Sequence, residues 1–218
     1  MEVEKLFRDI QKQPEQFAGH RERILSIPET IASAVKRRPV VMTGISTSLS
    51  ALKLPLWLLN RQGDFSAELV NTGDLLDYGC PQREDTRPLI VLSRSGESAE
   101  TVRLLETVKA DRCVIGVTEG AESALAKRAD VLLAFRADEE AFPNTSSFTL
   151  SQLYGLGMAF GLGYHSSFSL DELVKEAACA AQEIGQKEDE SREIGKMLSA
   201  PFFLHIFQFP DAQIDGIS

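Results

Sequence analysis

Cysteine is scarce in this chain of 218 residues. Cys80, Cys113 and Cys179 are odd in number, far apart and without a Cys-x-x-Cys pair, which argues against a disulfide framework or a zinc knuckle and for a reducing, cytoplasmic setting. The three histidines, His20, His165 and His205, show no ligand spacing, so no metal and no cofactor is expected. Basic charge is in deficit: 23 Lys and Arg face 32 Asp and Glu, a formal net charge of −9. A nucleic-acid binder normally carries a basic face, so nucleic acid is not an expected partner. No stretch approaches the ~20 apolar residues of a membrane span. The first ten residues are charged and amphipathic, without the apolar core of a signal segment, and no membrane partner is expected.

What is present is a regular alternation of short apolar runs with helical spacing. Strands are expected at residues 39–43, 66–70, 89–92, 113–118 and 131–135. Helices are expected between them at 49–59 (bent or started late by Pro55), from a Thr72 cap to 78, at 99–109 and at 123–128. This rhythm means a parallel sheet covered on both faces: an α/β fold, a doubly wound five-stranded α/β/α sandwich of flavodoxin type. Two helices, at 3–13 and 24–38, are expected to precede it, separated at Pro14 and Gly19. Glycines 155, 157, 161 and 163 fall within one apolar helix; they follow no strand and lack the Gly-x-Gly-x-x-Gly spacing, so they read as close helix packing. Residues 170–198 read as a further helix with Leu173, Val174, Ala177, Ala180 and Ile184 on one side, and 201–207 as one more strand. The organisation expected is thus 1–38, N-terminal helices; 39–168, the sheet domain; and 169–218, a C-terminal helix with the start of something further.

Ligands of such sheets bind outside the carboxyl ends of the strands. Three loops there share one chemistry. Gly44, Ser46, Thr47 and Ser48 follow the first strand. Ser93, Arg94, Ser95, Gly96 and Ser98, with Thr101, follow the third. Residues 139–149, which include Asn144, follow the fifth. Backbone N–H groups at a helix start have no partner inside the helix, and the helix dipole adds positive charge there. A glycine lets the backbone approach a ligand, and serine hydroxyls donate as well as accept. An ordinary serine cap accounts for one such loop; three at one sheet edge make a polar, anion-ready pocket suited to phosphate.

The run Ser93-Arg94-Ser95-Gly96-Glu97-Ser98-x-x-Thr101 resembles the Ser-x-Ser-Gly-Glu-Thr-x-x-Thr phosphate loop of the SIS (sugar isomerase) domain family. Residues 44–48 are similar to that family's Gly-x-Gly-Thr-Ser loop, and residues 144–149 to its Ser-Thr-Lys-x-Phe-Thr segment. The resemblance is closest to the first SIS half of the glucosamine-6-phosphate synthase isomerase part and to stand-alone phosphosugar isomerase and deaminase relatives. It implies binding of a phosphorylated sugar or aminosugar by the three loops, and a sugar-phosphate isomerase or deaminase. Its alternatives are a non-catalytic regulatory module and a shortened product. Relatives of this branch carry catalytic residues in a second SIS half, whose truncated start would lie in 169–218. Ser146 stands where the family segment has lysine. Of the residues present, Glu139 and Glu140 are the nearest candidates for a base, because they border the third loop. A homodimer is expected to cover the flanking helices and the apolar 202–207 segment.

Overall fold

The structure is a computed structural model that describes residues 2–35, 39–61, 67–78, 85–141 and 144–187. Its elements, in order, are α1 (Glu2–Ala34), β1 (Val40–Gly44), α2 (Thr47–Ala51), α3 (Lys53–Arg61), β2 (Ala67–Asn71), α4 (Thr72–Asp77), β3 (Leu89–Leu92), α5 (Ala99–Thr107), β4 (Val114–Thr118), α6 (Ala124–Arg128), β5 (Val131–Ala134), α7 (Ser146–Gly161) and α8 (Leu170–Gln186). The five strands pair in parallel, as the apolar runs predicted, and stand in the order β2-β1-β3-β4-β5. β1, β3 and β4 are buried at every position, which is why they read as unbroken apolar stretches instead of alternating ones.

Side chains of successive strand residues point to opposite faces, and the core divides accordingly. On one face Val40, Met42, Ile90, Leu92, Ile115 and Val117 pack with α1, α2, α3, α7 and α8. On the other, Val41, Leu89, Val91 and Val114 pack with Leu75 of α4, Leu104 and Leu105 of α5 and Leu125 of α6. The connection from β1 runs over the first face and the connection from β3 over the second. The two diverge between β1 and β3, and a crevice opens at the ends of those strands.

α1 departs from the sequence expectation. Residues 2–34 form one helix of 33 residues, with Pro14 and Pro28 inside it and no break at Gly19. A proline within a helix costs about 3 kcal/mol. Here that cost is offset by burial of Phe17, Ile24, Ile27 and Ile31, each at most 2% exposed, against α7 and α8. Tertiary packing overrides the local breaker. The expected helix over 49–59 is likewise corrected to two, α2 and α3, with Pro55 in the first turn of α3, where a missing N–H costs nothing. Asn71, not Thr72, caps α4, its side chain accepting from the Gly73 amide at 2.8 Å. On α8 the buried positions are Leu170, Val174 and Ala181, whereas Ala180 and Ile184 are exposed. The strand expected at 201–207 lies outside the described residues.

The glycines of α7 are packing notches. A Cβ at Gly155 would lie 3.0 Å from the Pro55 ring, and one at Gly157 would lie 3.1 Å from the Ile24 carbonyl oxygen. That carbonyl is the one Pro28 cannot bond. At Gly161 a Cβ would lie 2.7 Å from the Pro28 carbonyl oxygen and 2.8 Å from Ile31 Cβ. Gly161→Ala is therefore expected to destabilise the fold by about 1–3 kcal/mol through overpacking. Gly19→Ala, where nothing lies within 4 Å, should stabilise it by up to about 1 kcal/mol. Denaturant unfolding of the two variants beside wild type checks both signs.

Candidate functional site

β1 and β3 pair so that Gly44 lies beside Leu92, and the loops that leave them start side by side. Gly44 permits this: a Cβ there would meet Leu49 N and Leu92 O at 3.0 Å each. The next turn is strained. Ser46 has φ 53° and ψ −119°, and it is the only described non-glycine residue with positive φ. The family loop that residues 44–48 resemble has glycine at this place.

The loop after β3 is pinned from below by β4 and α6. The Ser93 amide donates to Val117 O at 3.1 Å. The Arg94 carbonyl accepts from the Glu119 amide at 2.9 Å and from Thr118 Oγ1 at 3.0 Å. Gly96 turns with φ 68°, and a Cβ on it would lie 2.1 Å from Ser123 Oγ, so no other residue fits. Glu97 reaches to the start of α6, where Oε1 accepts from the Ala124 amide at 2.7 Å. Within the loop Ser93 Oγ accepts from the Gly96 amide, and Ser95 Oγ from the Glu97 amide, both at 3.2 Å. Ser98 occupies the N-cap of α5 but makes no capping bond. Its hydroxyl lies 2.7 Å from Thr101 Oγ1 instead. The first turn of a nine-residue helix is thus left without a side-chain cap, a ready anion site.

Above these loops lies a cleft of about 630 Å³ lined by Ile45, Ser48, Leu92, Ser93, Arg94, Ser95, Ser98, Glu100, Thr101, Glu119 and Gly120. A narrow side cleft of about 30 Å³ is lined by Thr47, Ser48, Arg94, Asn144, Ser147, Phe148 and Ser151. Ser48 and Arg94 belong to both. Of the residues singled out in the sequence, Ser48, Ser93, Arg94, Ser95, Ser98 and Thr101 meet in the main cleft. Thr47 and Asn144 lie in the side cleft. Gly44, Ser46 and Gly96 shape the backbone and line neither. The third loop therefore borders the pocket from the side. The fourth wall comes from Glu119 and Gly120, directly after β4. Sequence reading passed over them because that turn has a single hydroxyl residue, although its place at a strand end is the same as that of the other loops.

The two carboxylates considered as bases have other work. Glu139 Oε2 accepts from the amides of Thr145, Ser146 and Ser147 at 2.9–3.2 Å, and Oε1 from Ser147 Oγ at 2.5 Å. The side chain is 1% exposed and also holds Arg94 Nη2 at 3.1 Å. It is the anion that caps α7, with five donors already on its two oxygens. Glu140 is exposed, 3.9 Å from Arg8, with its amide bonded to Asp9 Oδ2 at 2.9 Å, and it lines neither cleft. Ser146, at the family's lysine position, is buried and turned toward α1, accepting from Gln16 Nε2 at 3.2 Å. Among the described residues Arg94 is the sole basic one in either cleft lining.

Glu119 is different. It grips Arg94 Nε through Oε2 at 3.4 Å, and among the described residues its Oε1 is buried without a hydrogen-bond partner. Burial pushes this carboxyl above the ordinary glutamate range; Arg94 opposes the shift and the Glu139 charge adds to it. Among the histidines, His20 lies between Tyr154 Oη and the Arg136 carbonyl, 3.0 Å from each, a packing role. No group of three or more metal-type side chains occurs among the described residues.

Residues 33–159 match the SIS domain family, and the chain belongs to it. Arabinose 5-phosphate isomerase KpsF of Escherichia coli O6:H1 is 25% identical over 168 residues, covering 72% of this chain and 48% of that protein. The chain thus spans about half the length of the curated relative it matches. The C-terminal domain of glucosamine-fructose-6-phosphate aminotransferase from Francisella tularensis shares the fold, with a TM-score of 0.66 at 15% identity over 90% of this chain and 59% of the other. Glucosamine-6-phosphate deaminase from Thermotoga maritima superposes with a TM-score of 0.63 at 24% identity, covering 78% and 52%.

Backbone strain at residues like Ser46 costs on the order of 1–3 kcal/mol. Ser46→Gly should therefore raise unfolding stability by about 1 kcal/mol after the added chain entropy of glycine is subtracted. Thermal unfolding measures it; an unchanged or lower midpoint contradicts the strain.

Proposed function

We propose that this SIS domain binds a sugar phosphate and serves an isomerase or deaminase acting on sugar or aminosugar phosphates. The observation that carries the reading is the uncapped first turn of α5 behind the Ser93–Ser98 loop, opening into a cleft large enough for a sugar. The phosphate is held by the α5 amides and the hydroxyls of Ser93, Ser95, Ser98 and Thr101. Arg94, held between Glu119 and Glu139, supplies the basic side chain, and Ser48 and Thr47 meet the sugar from the β1 side. Asn144 reaches it from the side cleft, and Gly44, Ser46 and Gly96 set the backbone of the cradle.

These residues bind and orient. Aldose–ketose interconversion further requires a base that moves a proton between neighbouring carbons and an acid that opens the ring. The matched relatives are about one and a half times as long as this chain. Their names, rather than the loops alone, favour an isomerase or deaminase over a purely regulatory module. We place the protein in the cytoplasm: among the described residues Cys113 and Cys179 are free thiols, which suits a reducing compartment. No described helix is long and apolar enough to cross a membrane. We also read residues 1–38 and 169–218 as flanking the sheet domain and the working unit as a homodimer. Exposed Phe168 before α8 and Ile184 on it, at 59% and 60% exposure, support that reading.

Ser95→Ala combined with Ser98→Ala should weaken binding of arabinose 5-phosphate or glucosamine 6-phosphate by about tenfold or more, each lost hydrogen bond to a charged group being worth roughly 1.5–3 kcal/mol. The far-ultraviolet circular dichroism should stay unchanged. Equal affinity in the double variant removes the pocket assignment, and binding without turnover of any sugar phosphate removes the enzymatic one. Light scattering is expected to give twice the chain mass; a monomer overturns the dimer.

A further inference from the structure

Two carboxylates clamp Arg94, and they are not equivalent. Glu139 spends both oxygens on the start of α7: three amides, one hydroxyl and the guanidinium fill its acceptor positions. Glu119 has an equal number of acceptor positions and uses few of them. The bond from Arg94 Nε is long, 3.4 Å; the Ala137 amide lies against the same carboxyl; and Oε1 has no partner among the described residues. Glu119 also lines the main cleft, which Glu139 does not. Its strand, β4, is the immediate neighbour of β3, which carries the phosphate loop.

We propose that Glu119 is the specificity-determining residue of this site, accepting a hydrogen bond from a donor on the sugar while α5 holds the phosphate. The inference rests on the phosphosugar reading above. Oε1 is sealed from the cleft, so a ligand donor meets the carboxylate at its other oxygen, which Arg94 holds only loosely at 3.4 Å; spare acceptor capacity on a cleft wall favours a ligand that brings a donor over one that has none. The cleft of about 630 Å³ holds far more than a phosphate group, so the rest of the ligand reaches the wall that Glu119 forms. Electrostatics point the same way. Glu100 and Glu119 line the cleft against Arg94 alone, and Glu139 already neutralises part of that arginine. A ligand fits best with its negative charge confined to the phosphate end and with hydroxyl or ammonium donors at the other.

Calorimetric titration of wild type, Glu119→Gln and Glu119→Ala with inorganic phosphate, glucose 6-phosphate and glucosamine 6-phosphate tests this. Wild type is expected to bind the sugar phosphates more tightly than inorganic phosphate. Glu119→Ala should lose about tenfold or more for the sugar phosphates, as expected when a polar recognition pair is broken, and keep its affinity for inorganic phosphate. Glu119→Gln preserves shape and an acceptor oxygen, so it tells the donors apart. Retained glucose 6-phosphate binding marks a hydroxyl as the group accepted. Selective loss of glucosamine 6-phosphate marks an ammonium. Wild-type affinity for the sugar phosphates in Glu119→Ala overturns the proposal. So does a parallel loss of inorganic phosphate, which would make Glu119 a mere support of the loop. A wild type that binds neither sugar phosphate overturns the phosphosugar reading itself, and this assignment with it.

Discussion

One buried carboxylate ties the binding edge of this domain together. Glu139 gathers the amides at the start of α7, the Ser147 hydroxyl and the Arg94 guanidinium. It thereby joins the loop after β5, the helix at the centre of the larger core and the loop after β3. α7 has no side-chain cap of its own at Thr145; an acidic residue six positions upstream supplies the charge that its N-terminus attracts. The same group prevents Arg94 from swinging free. Removing it would leave a buried helix start without its anion and Arg94 held by Glu119 alone, so the shape of the cleft depends on a residue that does not line it.

The sheet supplies the other constraint. Because β1 and β3 are neighbours whose connections leave over opposite faces, two turns rise side by side with nothing between them. Gly44 and Gly96 let these turns sit where side chains would collide, and Ser46 holds a backbone conformation that glycine adopts more easily. α5, unlike α7, has no described side chain capping its first amides: Ser98 turns to Thr101, and Glu100 stands in the first turn without capping it. The two helix starts at this edge therefore differ in kind. One is filled by the protein's own anion and the other is open to a foreign one.

The five parallel strands could be read from the sequence because all of them are local features: short, apolar and bounded by turn residues. The phosphate loop was readable too, since its serines and glycine lie in one continuous run. What escaped was long-range. Pro14 and Gly19 signal a break between two helices, yet burial of Phe17 and Ile24 carries α1 through both. Glu139 looked like a base because it borders a polar loop, but its partners 6 to 8 residues downstream and Arg94, far upstream, become neighbours only in the fold. Glu119 drew no notice in a turn without a serine cluster, and only the parallel pairing of β3 with β4 brings it to the pocket.

On the function proposed above, a chain of net charge −9 must hold its phosphate locally. The cleft shows how. Fixed amide dipoles at α5 attract an anion without adding a mobile charge, and their effect fades within a helical turn. Arg94 adds reach, but with Glu119 and Glu139 on either side it presents little net charge to the surroundings. Small inorganic anions gain from the amides alone. A ligand that also carries hydrogen-bond donors gains from Glu119 as well. On that proposal, discrimination between a sugar phosphate and free phosphate follows from the under-used carboxylate rather than from the Ser93–Thr101 loop, which treats both alike.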